Sequence, residues 1–364
     1  MNKSISVLLF ISFLLSLTAC AILGSTTHGI KWFDEDLSDY VLYIYAPYKD
    51  TLTVVDLKSG EPLQKFTAFK GIQSVVSNQD GSRIYVSTGS GTSGGNPGEI
   101  YEVNTKTWEH RKIHNYAAHL LSDYEGGLYF LNKQGSYRVF GAIDPDRGEV
   151  TMIDALDIYR GSWFDASLIG IDSKTGFLYA MNESNDFFQY HFESKTRNKL
   201  FGDLVLDSTA QFILSPDGSQ VYFAGGYVLD VSLQKVVGNL PTPHLGSLAV
   251  RQDNKEVYAT DPGGYFHDPE PSGRVAVYSP IKDRIIDEIA VRKDGYPLKT
   301  DQIYLTHNER YAVVSDWIHH IFIIDLKERR VIKTHSFSDS DEFPLLVQGF
   351  CLSAKPGGFN QGRP

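Results

Sequence analysis

Five polar side chains stand where short apolar runs end: Thr88, Asn132, Asn182, Asp261 and Asp316. Five more, Gln73, His119, Gln211, Gln302 and Gln348, stand where other apolar runs begin. If the runs are strands gathered about one axis, these side chains crowd the same end of it. Carboxylate and amide oxygens brought together in this way are the donor set of a hard cation, and Asn132, Asn182, Asp261 and Asp316 are the candidate ligands for Ca2+. The same groups could orient a small polar ligand. They could equally cap strand ends and hold water, as Asn and Asp commonly do.

Other chemistries find less support. His319 and His320 are adjacent, and neighbours on a strand point to opposite faces, which spoils chelation by the pair. The glycine-rich stretch 89–95 has no Lys-Ser/Thr ending and no helix after it, so it does not form a phosphate loop. Cys351 lies in the apolar run Gly349-Phe350-Cys351-Leu352 and reads as a small buried hydrophobe. No Gly-x-Ser-x-Gly elbow, zincin motif or Cys-x-x-Cys-His is present.

The elements that must position these residues repeat. Phe212-Ile-Leu-Ser-Pro-Asp-Gly-Ser-Gln-Val-Tyr-Phe-Ala224 reads as strand, tight turn, strand: Pro216 presets φ, Asp217 bonds its own backbone and Gly218 accepts positive φ. Copies lead to Tyr85 and Tyr258, weaker ones to Tyr129, Tyr179 and Tyr311, and Tyr43 carries the first copy without its turn. After each tyrosine comes a further apolar run with a polar turn, such as Val54-Val55-Asp56-Leu57-Lys58-Ser59-Gly60, and then a short fourth run. Four short strands in a repeat of some 40 residues make a β-propeller blade, which must pack against its neighbours to bury both faces. Seven tyrosine strands predict an all-β, seven-bladed propeller over 40–354. The first blade lacks an inner strand, and Leu346–Ser353 supplies one from the C-terminus and closes the ring.

These repeats, above all Leu214-Ser-Pro-Asp-Gly-Ser-Gln-Val-Tyr222, resemble the YVTN-type seven-bladed β-propeller family of bacterial and archaeal surface proteins. Several copies depart from the pattern; Ser173-Lys-Thr-Gly176 replaces the Asp-Gly turn in one. Similar-looking propellers with lactonase activity place a metal and an acid-base carboxylate at the channel mouth, which implies a metal-assisted hydrolase as the alternative function.

The N-terminus carries a different signal. Met1-Asn-Lys-Ser4 is a short positive stretch, 5–17 is almost wholly apolar yet too short to span a bilayer, and Leu17-Thr18-Ala19-Cys20 follows. This segment resembles the lipobox of bacterial lipoproteins. The resemblance implies a signal peptide over 1–19, a lipid-modified Cys20 as the mature N-terminus and a tether over 20–39. With Ala21 after it, sorting to the outer membrane is expected in a Gram-negative cell. Residues 355–364 read as a Gly- and Pro-rich tail. The formal net charge of −10 argues against a nucleic-acid partner, which requires a clustered basic surface.

The long connections fall into two classes. Those at 87–98 and 261–273 join second to third strands, and those at 155–166, 292–301 and 336–345 join blades. Both classes emerge on one face of a propeller. They carry Trp163, Phe164, Tyr265, Phe266, His267 and Tyr296 beside acidic residues, the composition of a recognition surface. The expected function is a lipid-anchored scaffold that binds an envelope protein or polymer through this face.

Overall fold

The computed structural model describes residues 36–355 apart from 46–49, 79, 90–97, 116–118, 123–126, 135–136, 145–146, 148, 157–168, 173, 182–185, 202–211, 225, 241–245, 262–271, 317–318 and 338–348. The chain divides into two compact units, Met1–Glu35 and Asp36–Pro364, and the first lies outside the described residues. Cys20 is therefore outside them too.

The second unit holds seven four-stranded antiparallel sheets. We number them as blades one to seven and letter their strands a to d from the innermost outward. Blade one is composite. Its strand a is Gly349–Ala354, from the C-terminus, and its strands b, c and d are Tyr40–Tyr45, Leu52–Asp56 and Pro62–Phe66. The two chain ends pair along their full length, from Tyr40 opposite Ala354 to Tyr45 opposite Gly349, with Tyr43 opposite Cys351. The inner strand thus ends one residue later than the sequence indicates, and 346–348 fall outside the described residues.

The core is seven apolar slabs, one between each pair of neighbouring blades. Alternation along strand b explains this, because successive side chains point to opposite faces. Leu42 and Ile44 face blade seven, where they meet Val313 and Ile323, while Tyr43 faces blade two and meets Val75 and Val86. The repeated tyrosine keeps that direction throughout. Tyr85 packs with blade three, Tyr129 with four, Tyr179 with five, Tyr222 with six, Tyr258 with seven and Tyr311 with one. All seven rings are buried. A strand buried on both faces needs apolar residues at successive positions, which is why the b and c strands read as continuous apolar runs.

Strand d differs. Lys235–Asn239 is almost wholly exposed, and Thr196–Phe201 nearly so. In every blade the pairing of c with d slips by one residue: at Val54/Val55, Ile100/Tyr101, Phe140/Gly141, Phe187/Phe188, Val228/Leu229, Val277/Tyr278 and Ile323/Ile324. A bulge increases local twist, and the repeated bulge lets each outer strand coil away from the flatter inner three.

The two faces of the ring are distinct. On one, the c–d turns of five blades are tied to the start of their own strand b among the described residues, as in Val231 N to Ser219 O (3.0 Å), Thr105 N to Ser82 O (3.0 Å) and Leu326 N to Arg310 O (2.9 Å). The chain enters the unit on this turn face, where a short 3-10 turn, Leu37–Asp39, precedes strand b of blade one. Leu57 N, from the c–d turn, donates to Tyr40 O, and Lys58 pairs with Asp36. The other face carries the long b–c loops and the connections between blades. One of these connections, between blades six and seven, contains a small hairpin that pairs Arg292–Lys293 with Tyr296–Pro297.

Candidate functional site

Among the described residues, the polar groups of the loop face gather where blade six meets blade seven. Asp261 follows strand b of blade six (Val257–Thr260), and Asp316 follows strand b of blade seven (Tyr311–Ser315). Both are buried. Asp261 Oδ2 accepts from Arg274 Nε at 3.1 Å, and Arg274 also donates to Glu288 at 2.7 Å. Its backbone is held as well: Asp261 N donates to Thr300 Oγ1 (3.0 Å) and Asp261 O accepts from Ser272 Oγ (2.6 Å). These bonds lash the b–c loop of blade six to the connection that follows the blade.

Asp316 closes the next hairpin. Its Oδ1 accepts from the backbone amides of His319 (2.8 Å) and His320 (2.7 Å), and its Oδ2 bonds His320 Nδ1. His320 Nε2 lies 2.8 Å from Lys293 Nζ, which also donates to Ser336 Oγ at 3.1 Å. An ammonium can only donate, so this contact requires the lone pair on Nε2 and puts the ring proton on Nδ1, toward Asp316. The imidazole thereby bridges the lysine of the hairpin and the carboxylate of blade seven.

Asp301, which the sequence did not single out, is the third carboxylate. Its backbone N donates to Ser315 O (2.9 Å) and its O accepts from Thr260 Oγ1 (2.6 Å). Burial, and then the charge of Asp316, push its carboxyl up to about 6. The ordinary aspartate value is near 4, so folding favours the protonated form. The stability this contributes is present below about pH 4 and is lost as pH rises through 6. Asp301→Asn is accordingly expected to be more stable than wild type by about 2–3 kcal/mol above pH 7 and equal to it below pH 4. Urea melts at pH 4 and pH 8 check this; an offset that does not change with pH would refute it.

The other candidates are dispersed. Thr88 Oγ1 is closed within its own hairpin, accepting from Glu99 N and donating to Glu99 O, both at 3.2 Å. Gln73 Nε2 donates to Gly89 O at 3.3 Å. Asn132 lies on strand Leu128–Gln134, but its side chain and that of His119 are outside the described residues, as are Asn182, Gln211 and Gln348. No group of three or more His, Cys, Asp or Glu suited to a metal occurs among the described residues. Asp261 and Asp316 are already bonded by cationic and N–H donors, an arrangement that fits internal capping better than a Ca2+ site. Cys351 is a free, buried thiol pushed up to about 11 by burial, so it is a thiol and not a nucleophilic thiolate at neutral pH.

Of the expected recognition residues, Tyr296 is described: it stands at the hairpin tip, 74% exposed. Asp294 and Gly295 form the turn with φ of 52° and 85°, the signature of a type I′ hairpin, and apart from its chain neighbours nothing lies within 4 Å of where a Cβ on Gly295 would stand. The Asp-Gly pair was the sequence signal for this hairpin. At its root, a Cβ on Gly273 would come within 2.4 Å of Pro297, so the hairpin rests on the end of the b–c loop of blade six. That loop carries Tyr265, Phe266 and His267, which lie outside the described residues, as do Trp163 and Phe164.

The fold and this loop face define a seven-bladed β-propeller. Searched by sequence, the chain matches no family model and no curated protein. Solved structures with the same fold are numerous. They include the dihydro-heme d1 dehydrogenase NirN in complex with DHE (12% identity, TM-score 0.56, covering 86% of this chain and 66% of that one). A functionally unknown protein from Desulfotomaculum acetoxidans matches at 10% identity and TM-score 0.60, over 85% of this chain and 98% of that one. Apo AztD from Citrobacter koseri matches at 11% identity and TM-score 0.54, over 86% and 97%. At such identities the likeness is one of fold.

Proposed function

We propose that this chain is an exported lipoprotein of the YVTN-type propeller kind, held to the cell envelope through lipid on Cys20, which binds an envelope protein or polymer through its loop face. The observation that carries this reading is the hairpin. An aromatic ring 74% exposed stands beside a two-residue turn, on a hairpin whose Pro297 packs against Gly273 at the end of a loop that carries further aromatic residues. Pre-ordered aromatic anchors are what dominate interface energies. The hydrolase alternative is less well supported, because Asp261 is bonded to Arg274 and Asp316 to His320. Among the described residues no helix is long and apolar enough to cross a membrane.

Replacing Tyr265, Phe266 and Tyr296 together by Ala is expected to abolish capture of the partner from detergent-solubilised envelope. Thermal stability should stay within about 0.5 kcal/mol at Tyr296, whose exposed ring contributes little to the core. Cys20→Ala should release the protein from membranes or block its maturation. Capture that survives the triple substitution but is lost, together with stoichiometric Ca2+, in Asp261→Asn and Asp316→Asn would overturn the scaffold reading.

A further inference from the structure

The turn face shows a feature that the fold does not require. In six blades the c–d turn has the same geometry, with one residue at positive φ: Gly60, Trp108, Lys195, Gln234, Asp283 and Arg329. The two residues before it form the exposed tip. In four of these blades the tip is polar: Lys58 and Ser59, Lys106 and Thr107, Glu193 and Ser194, Lys327 and Glu328. In blades five and six, which are adjacent, it carries Leu233, 58% exposed, and Ile281, 77% exposed. Polar residues make the same turn elsewhere, so turn geometry is no reason for these two side chains to face water.

Both tips are held out by their own turns. Asp230 Oδ1 accepts from Leu233 N (2.8 Å) and Ser232 Oγ (2.7 Å), which fixes the turn of blade five. Asp283, in the turn of blade six, accepts from Tyr278 Oη (2.6 Å) and from Asn239 N on strand d of blade five (3.3 Å). The turn of blade six thus sits against the outer strand of blade five. Val236 and Val237 on strand d of blade five and Ile286 on strand d of blade six are exposed as well. Their borders carry Lys235, Lys282 and Arg284, all exposed. The two acids nearest the tips, Asp230 and Asp283, are occupied by the bonds just described. Paired apolar tips with basic flanks form the pattern by which proteins seat in the interface of a lipid bilayer.

The chain enters the propeller on this same face. Asp36 pairs with Lys58 of a c–d turn, and 15 residues separate it from Cys20. Fully extended, that stretch reaches about 55 Å, long enough to leave the propeller free and short enough to keep it beside its membrane. We propose that the lipid bilayer is the occupant of this patch: Leu233 and Ile281 insert among lipid headgroups, so that the turn face lies on the membrane and the loop face looks away from it. The proposal rests on the lipid anchor at Cys20. The local basic border, not the overall charge of −10, meets the headgroups.

The test uses the full-length lipidated protein reconstituted in vesicles of phosphatidylethanolamine and phosphatidylglycerol. Nitroxide labels are placed singly at Leu233→Cys, Ile281→Cys and, on the loop face, Arg292→Cys; Cys351 is buried and remains unlabelled. The labels at 233 and 281 should be relaxed several-fold more by oxygen than by a water-soluble nickel complex, and the label at 292 the reverse. Labels at 233 and 281 as open to the nickel complex as the one at 292, in protein that floats with the vesicles, would overturn this orientation while leaving the anchor intact. Failure of the wild type to float would overturn the anchor and the orientation together. Protection of the label at 281 in Cys20→Ala protein without vesicles would assign the patch to a second copy or to this chain's own N-terminal segment, and would overturn the bilayer as occupant.

Discussion

Truncation before Leu346 is expected to unfold the propeller at temperatures where the full-length protein is native. The deletion removes Gly349–Ala354, which pairs with strand Tyr40–Tyr45 at all six positions. Every residue of that partner strand is buried. The loss bares a ladder of backbone N–H and C=O groups and opens the slab that Cys351 shares with Tyr43, Val75 and Val86. It also removes Lys355, whose ammonium pairs with Asp56 at 2.5 Å. One core strand of a ring belongs to the few changes that cost more than about 5 kcal/mol, comparable with the whole stability of many domains. Calorimetry of the two chains decides the matter: a cooperative melt of the truncated chain at the full-length temperature would show that the first blade is not completed in this way.

The second large effect is expected from Gly141→Val. Gly141 sits at the bulge between strands c and d of blade three. A Cβ there would lie 2.3 Å from two ring atoms of Phe130 and 2.7 Å from Thr151 O. Phe130 is fully buried between blades two and three and has nowhere to turn. Thr151 belongs to the neighbouring strand, so relief requires the backbone to move. Overpacking of this kind costs about 1–3 kcal/mol, and the added branching of Val should bring it to about 4. Chemical denaturation should show Gly141→Ala less affected than Gly141→Val. Equal stability of wild type and Gly141→Val would contradict the register at this bulge.

The architecture was legible because its determinants are local and repeated. A tyrosine at the same point of each b strand and an apolar run after it recur with the blade, several copies add a polar turn before it, and the structure buries each tyrosine against the following blade. The Asp-Gly hairpin at 294–295 was equally local and could have been found by the same logic. Asp301 could not. Nothing beside it in sequence announces that Thr260 and Ser315, from two different blades, will bury it near Asp316. Asp261 and Asp316 were placed at their strand ends by the pattern, but their partners were not, because Arg274 and His320 reach them only once each b–c hairpin has closed. Spacing along the chain reports where a carboxylate stands; what neutralises it depends on contacts made across loops.

The composite first blade also sets the order in which the molecule can fold. Tyr43 and Cys351 are 308 positions apart yet directly opposite each other. A chain made N-terminus first has six complete blades before the strand that completes the first exists. Closing a loop of that length costs only about 0.6 kcal/mol more than closing one half as long. The difficulty is therefore one of time and not of equilibrium: the inner edge of Tyr40–Tyr45 waits unpaired through the whole of synthesis. The ring snaps shut in a single late, non-local step of the kind that makes folding slow. Until then, the same edge can accept a strand from any neighbouring chain. A holdase acting before closure would find its target there, on the first blade and not on the last.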